Sequence, residues 1–217
     1  MTEHRITDVR QSKRVANRYS VYIDSKFAFS AHFDEIHALN IRKGRLLTGD
    51  ELSELTDYFS ERKLRETAFR ILSYRPRSEQ ELRNKLREKR FPDSDIEDII
   101  REFRDKKLLS DTDFARQWVE NRMRLKPRGR KMLEMELYKK GVSRQTANRV
   151  LDDILGGTDQ SETAFELLIK QPRKFLRENS VDTQRKIYNY LRYRGFDPDD
   201  IRRAAERFIT ETAKSED

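Results

Sequence analysis

Apolar side chains recur along this chain in a frame that is stated three times. Leu82, Leu86, Phe91, Ile96, Ile99, Ile100 and Phe103 return in the same order as Leu133, Leu137, Val142, Ala147, Val150, Leu151 and Ile154. They return again as Ile187, Leu191, Phe196, Ile201, Ala204, Ala205 and Phe208. Steps of three and four residues predict helices with one buried face. Each copy carries the same helix end, a Leu followed by basic residues, a Gly or Arg, and a Phe or Val: Leu86–Phe91, Leu137–Val142 and Leu191–Phe196. Self-similarity at a period of about 50 residues is the mark of a repeat architecture. Each unit has too few apolar residues to stand alone, so the units are expected to pack end to end as an elongated array.

The N-terminal stretch has a different period. Tyr19, Val21 and Ile23, a polar Asp24-Ser25-Lys26 turn, then Phe27, Phe29, Ala31 and Phe33 alternate strictly and predict a β-hairpin. A lone hairpin is marginal in water, so a third strand is expected from residues 5–9 or 45–47, or packing against a helix. Residues 35–40 predict a short helix. Thr48 and Glu51 form a capping box that opens a long helix ending at Arg75-Pro76. Ser78 with Glu81, Ser110 with Asp113, Ser143 and Asp197-Pro198 mark further helix starts, and Gly141 and Gly195 mark helix ends. Gly156-Gly157 reads as a hinge, residues 171–180 as a long connection, and 213–217 as a fraying tail. The expected organisation is a mainly α chain with a β-hairpin segment (1–50) and three-helix repeats at 51–109, 110–156 and 157–212.

Composition narrows the function. With 40% charged residues and mean hydropathy of -0.99, small stacked cores fit better than one large one. No apolar run approaches the roughly 18 residues a membrane span needs, and the first residues lack the apolar core of a signal peptide, so a cytoplasmic protein is expected. There is no Cys, and the three His lie in the first forty residues, where side chains without a metal role explain them. No glycine loop has phosphate-binding spacing. Asp111 and Asp113 are the best carboxylates for an enzymatic reading, and helix capping accounts for them.

The net charge of +8 is concentrated in residues 57–156. Its peak is Arg122, Arg124, Lys126, Arg128, Arg130 and Lys131, six cations in ten residues with no acid between them. Such a run makes a positive field suited to polyanions or acidic protein surfaces. Arg75 and Arg77 flank Pro76 between two helices, where they could grip carboxylates or phosphates or pair locally with Glu79 or Glu81. Lys85 and Lys89 form a ridge on the following helix, or simply a solvated face. Trp118 could stack on a base, but its spacing from Phe114 and Ala115 places it in a core. Of Tyr188, Tyr190 and Tyr193, at least one must face outward. Asp93, Asp95, Glu97 and Asp98 suit the first turn of a helix.

Three phrases carry a family resemblance: Leu72–Leu82, Ser110–Arg122 and Gly129–Gly141. In this order and spacing the chain resembles the RecX regulatory proteins, bacterial modulators of the RecA recombinase, strongly over 64–155 and weakly over 160–209. The resemblance implies tandem three-helix repeats, no catalysis, no cofactor and no metal. It implies binding to the RecA filament on DNA, limiting ATP hydrolysis and strand exchange in recombination and the SOS response. A monomer with weak, nonspecific DNA contact is expected. The competing reading is a nonspecific nucleic-acid-binding helical protein, since three-helix units with basic connectors resemble helix-turn-helix building blocks.

Overall fold

The computed structural model describes residues 3–13, 15–176 and 180–213, so residues 214–217 of the expected tail lie outside it. The chain forms two compact units, Met1–Tyr74 with Leu86–Ile99, and Arg75–Lys85 with Ile100–Asp217.

In the first unit the hairpin is part of a larger sheet. Strands β1 (His4–Gln11), β2 (Arg18–Ile23), β3 (Lys26–His32) and β4 (Leu46–Leu47) form an antiparallel sheet of order β3-β2-β1-β4. Both segments offered as a third strand are used: β1 pairs with β2, and β4 adds to the outer edge of β1. Asp24 and Ser25 turn β2 into β3 with φ of 48° and 65°, the left-handed pair that a two-residue hairpin loop needs. Ile6, Val21, Ile23, Phe29, Ala31 and Leu47 are buried on one side of the sheet. A short helix, α1 (Phe33–Ala38), precedes the long α2 (Gly49–Tyr74). The predicted capping box starts α2: Thr48 Oγ1 accepts from the Glu51 N–H at 3.1 Å, and Glu51 accepts from the Thr48 N–H at 2.8 Å. Phe59 of α2 stacks on Phe29 with ring centroids 4.0 Å apart, and Arg62 pairs with Glu35 and donates to the Ser30 carbonyl at 2.8 Å. These contacts fasten the long helix to the sheet.

Helices α3 (Glu79–Arg87) and α4 (Asp93–Asp105) contribute residues to both units. The second unit continues with α5 (Asp111–Leu125), α6 (Arg130–Lys139) and α7 (Arg144–Leu155), whose core is built on Phe114, Val119, Leu133, Leu137, Val150 and Leu151. Ser110 and Ser143 cap α5 and α7 as predicted, accepting from the Asp113 and Thr146 N–H groups, each at 3.1 Å. Next come α8 (Gln160–Ile169), α9 (Pro172–Phe175), α10 (Ser180–Tyr193) and α11 (Pro198–Ala213). The expected 171–180 connection is corrected in its first half: it forms α9, and Phe175 is fully buried among Phe165, Ile187, Leu191 and Phe208. A lone aromatic between Pro and basic residues gives no periodic signal, which is why the sequence reading passed over it. Residues 177–179 of that connection lie outside the described residues. Gly156 is in a helical conformation and continues the hydrogen-bonded end of α7 through its N–H to the Asp152 carbonyl at 2.9 Å.

The repeated frame is the buried frame. Of its positions, Phe91 and Ile154 are half-buried and the others are buried in all three copies.

Candidate functional site

The second unit contains one joint built twice, with Arg75 and Arg122 at its first copy and Arg128 and Lys131 at its second. In each case the start of one module's second helix meets the end of the next module's second helix. At the first joint the Ser78 hydroxyl donates to the Lys140 carbonyl at 2.5 Å and accepts from the Glu81 N–H at 3.1 Å. At the second, the Gly129 N–H donates to the Arg194 carbonyl at 2.9 Å. Lys140 and Arg194 are equivalent, each standing just before the glycine of the repeated helix end. Those glycines have φ of 81° and 85°, and a Cβ on Gly141 would fall 2.2 Å from Gln80 Cβ, one on Gly195 2.3 Å from the Met132 nitrogen. The helix-end glycine is therefore required twice over, by the backbone conformation and by the neighbour pressed against it. The first copy of the phrase carries Arg90 there, at φ 64°, and Arg90 is exposed.

Side chains at the first joint are neutralised internally. Arg75 grips Glu81 with two hydrogen bonds, at 2.8 and 3.2 Å, and Lys140 Nζ reaches the same carboxylate at 2.7 Å. Burial works to raise the Glu81 carboxyl, but Arg75 and Lys140 outweigh it and hold it below the usual range. Half-buried Trp118 packs against the module core, and its Nε1–H donates to Glu136 at 2.9 Å. Arg122 donates to the same Glu136 oxygen at 2.7 Å, and the Arg122 guanidinium and Lys140 ammonium lie 4.8 and 4.7 Å from the indole centroid. The indole is thus walled by cations and is no open stacking platform.

The basic run Arg122–Lys131 is partly neutralised by acids that the sequence places elsewhere. Besides Arg122, Arg130 pairs with Glu134 at 3.0 Å and Asp152 at 2.8 Å, and Lys131 pairs with Asp197 at 2.5 Å. Burial opposes the Arg130 charge, but Asp152 and Glu134 prevail and raise its pKa; the hydrogen bond that Lys131 donates to Asp197 raises the Lys131 pKa. Among the described residues Arg124 donates only to the Asn121 amide oxygen, at 3.1 Å, and Lys126 is exposed. Arg128 is half-buried, with its Nε out of solvent and without a hydrogen-bond partner among the described residues. Lys89 is exposed, whereas Arg77 and Lys85 are half-buried and engaged by neighbours. Of Tyr188, Tyr190 and Tyr193, Tyr193 is the most open at 75% exposure, Tyr188 is partly open, and Tyr190 packs edge-on against Phe175.

One signal in the sequence was missed. Arg75-Pro76-Arg77 and Lys126-Pro127-Arg128 occupy the same place in successive repeats, so the two connectors are one basic-Pro-Arg device. Comparing the repeats outward from their apolar frame would have found it.

Four family models match in chain order: the RecX N-terminal domain over residues 4–48 and the first, second and third RecX three-helix domains over 65–103, 110–151 and 158–205. The chain belongs to the RecX family. Regulatory protein RecX of Clostridioides difficile (strain 630) is 29% identical over 204 residues, 94% of this chain and 95% of that relative. Regulatory protein RecX of Clostridium perfringens (strain SM101 / Type A) is 29% identical over 197 residues, 90% and 92% of the two chains. A crystal structure of RecX from Lactobacillus salivarius aligns with a TM-score of 0.64 at 27% identity, covering 70% of this chain and 97% of that one. Another crystal structure of regulatory protein RecX shares the fold, with a TM-score of 0.68 at 23% identity, covering 91% and 96%. RecX membership extends to the sheet segment, outside residues 64–209 where the sequence resemblance was placed.

Proposed function

We propose that this protein is a noncatalytic regulator that binds the RecA–DNA filament and restrains its ATP hydrolysis and strand exchange, and so modulates recombination and the DNA-damage response. The observation that carries this reading is the match to all four RecX segments in order along the chain. The repeated joint supports it physically. Ser78–Lys140 and Gly129–Arg194 tie the second helices of successive modules together, and a basic-Pro-Arg connector precedes the tied helix start in both cases. A repeated attachment suits a partner that is itself a polymer. Bound across neighbouring protomers, such a chain biases their packing only in so far as it binds one arrangement better than the other. In this reading the protein works as a cytoplasmic monomer without a cofactor. No helix among the described residues is long and apolar enough to cross a membrane.

Substoichiometric amounts of the purified protein are expected to lower DNA-dependent ATP hydrolysis by RecA. Unchanged hydrolysis at every ratio tested overturns the reading.

A nonspecific nucleic-acid binder is the second reading, favoured by Arg124, Lys126 and Arg128, which no acid pairs among the described residues. It predicts strong DNA affinity without RecA, falling with salt by a slope of about 0.9 per phosphate contacted.

A further inference from the structure

The two joints of the second unit share a backbone but not a charge balance. Glu81, which neutralises Lys140 at the first joint, stands immediately before buried Leu82; the residue standing before Leu133 at the second joint is Met132. Glu136, which holds Arg122 and the Trp118 indole, stands immediately before Leu137; the residue before Leu191 is Tyr190. Both acids of the first joint are therefore replaced at the second by uncharged side chains. Two cation places are kept. Arg194 occupies the place of Lys140, and Arg128 the place of Arg77. Asp197, the acid nearest along the chain, is engaged by Lys131 at 2.5 Å.

What remains is a knot of positive charge around one ring. The Arg194 guanidinium lies 3.6 Å from the Tyr190 ring centroid, and Lys174 Nζ lies 4.6 Å from it. Among the described residues the Arg194 side chain makes one hydrogen bond, a long one of 3.4 Å to the Tyr190 carbonyl, and the Arg128 Nε is buried without a partner. Burial pushes the Arg194 pKa down, Tyr190 acts the other way, and the charge of neighbouring Arg128 adds to the depression. An arginine stays charged even so. Partly buried like charges without a counter-ion are costly, and the paired first joint shows that this architecture accommodates the acids that would relieve the cost.

We propose that the second joint is an oxyanion site in which Arg128 and Arg194 hold a phosphate group, with Lys174 at its rim. The planar guanidinium fork matches phosphate oxygens, and exposed Lys126 extends the positive field along the α5–α6 connector. The phosphate belongs either to a nucleic-acid backbone or to a small phosphorylated molecule. The site stands on its own geometry and does not require RecA as partner.

The test uses the full chain without RecA. Thermal unfolding is followed with inorganic pyrophosphate against sodium chloride at equal ionic strength, for the parent, Arg128→Gln, Met132→Glu and Arg75→Gln. Pyrophosphate should raise the parent melting temperature more than chloride does. The response should vanish in Arg128→Gln and in Met132→Glu, which removes no proposed ligand but supplies the missing internal acid, and should persist in Arg75→Gln. No excess stabilisation of the parent overturns the site, as does a full response in Met132→Glu. A second arm measures anisotropy of a fluorescein-labelled oligothymidylate. Affinity lowered about tenfold by Met132→Glu, as expected for loss of a charge-assisted contact, assigns the phosphate to a nucleic-acid backbone. Unchanged oligonucleotide affinity beside a lost pyrophosphate response assigns it to a small molecule; both results uphold the site.

Discussion

The Ser78 hydroxyl and the Lys140 carbonyl, 2.5 Å apart, tie the start of α3 to the end of α6. Ser78 is fully buried, and its oxygen serves two bonds, one within its own helix start and one across the joint. Ser78→Ala leaves both a helix-start N–H and a helix-end carbonyl without their partner. The expected cost is about 2 kcal/mol, read as a lower urea midpoint in equilibrium unfolding.

Alanine at the repeated helix-end glycines should be costly. Gly141→Ala places a Cβ against the Gln80 side chain, and Gly195→Ala places one against the Met132 backbone, which has less room to yield. Each also takes the left-handed penalty of roughly 1 kcal/mol. Both variants should melt below the parent, Gly195→Ala lower than Gly141→Ala. Arg90 already carries that penalty at an exposed position, so Arg90→Gly should not destabilise and should gain up to about 1 kcal/mol. Differential scanning calorimetry of the three variants checks both signs.

Glu81 makes stability depend on acid. Its folded-state carboxyl sits below the ordinary value because Arg75 and Lys140 overcome its burial. The stabilisation is therefore complete above the unfolded-state pKa, about 4.3, and disappears as pH falls through the depressed folded value. Glu81→Gln should be less stable than the parent at neutral pH, and the two should converge in acid. Urea midpoints across that range measure it; a constant difference at all pH values would contradict the assignment.

Asp111 should show the opposite sign. Burial, aided by Glu79, raises its carboxyl despite the Glu79 N–H that it accepts at 2.8 Å. Ionising it in the folded state therefore removes stability as pH rises from the unfolded pKa to the raised folded one. Asp111→Asn keeps an acceptor for that N–H and avoids the ionisation, so at neutral pH it should unfold at equal or higher urea than the parent.

Lys140→Ala should alter the emission of Trp118, the single tryptophan of the chain, by removing the ammonium 4.7 Å from its ring. Steady-state fluorescence of the folded variant reads this directly. An emission spectrum identical to the parent's would show that the ammonium does not occupy that position.

Much of this architecture is legible without coordinates, because helix faces, caps and turns are written in near neighbours. Thr48 with Glu51, Ser110 with Asp113, and Asp24-Ser25 each act over a few residues, so their types and spacing suffice. Phe175 escaped because one aromatic in a short turn makes no period. The charge balance of the basic run was hidden for a related reason: Arg122, Arg130 and Lys131 look uncompensated only while their partners Glu136, Asp152 and Asp197 are counted as distant. Repetition itself held more than was read from it, since the matching of Arg75-Pro76-Arg77 with Lys126-Pro127-Arg128 needed only a comparison beyond the apolar frame.

By itself, then, the amino-acid order determined the repeat, the capped helix starts and the sheet segment's alternation, since these depend on side chains along a local backbone. Only the tertiary structure decided which helix ends meet, and hence which charges cancel. Lys140 finds Glu81 across the first joint and Lys131 finds Asp197 at the second, and those pairings arise through space, where electrostatics depends on a few ångströms and not on distance along the chain.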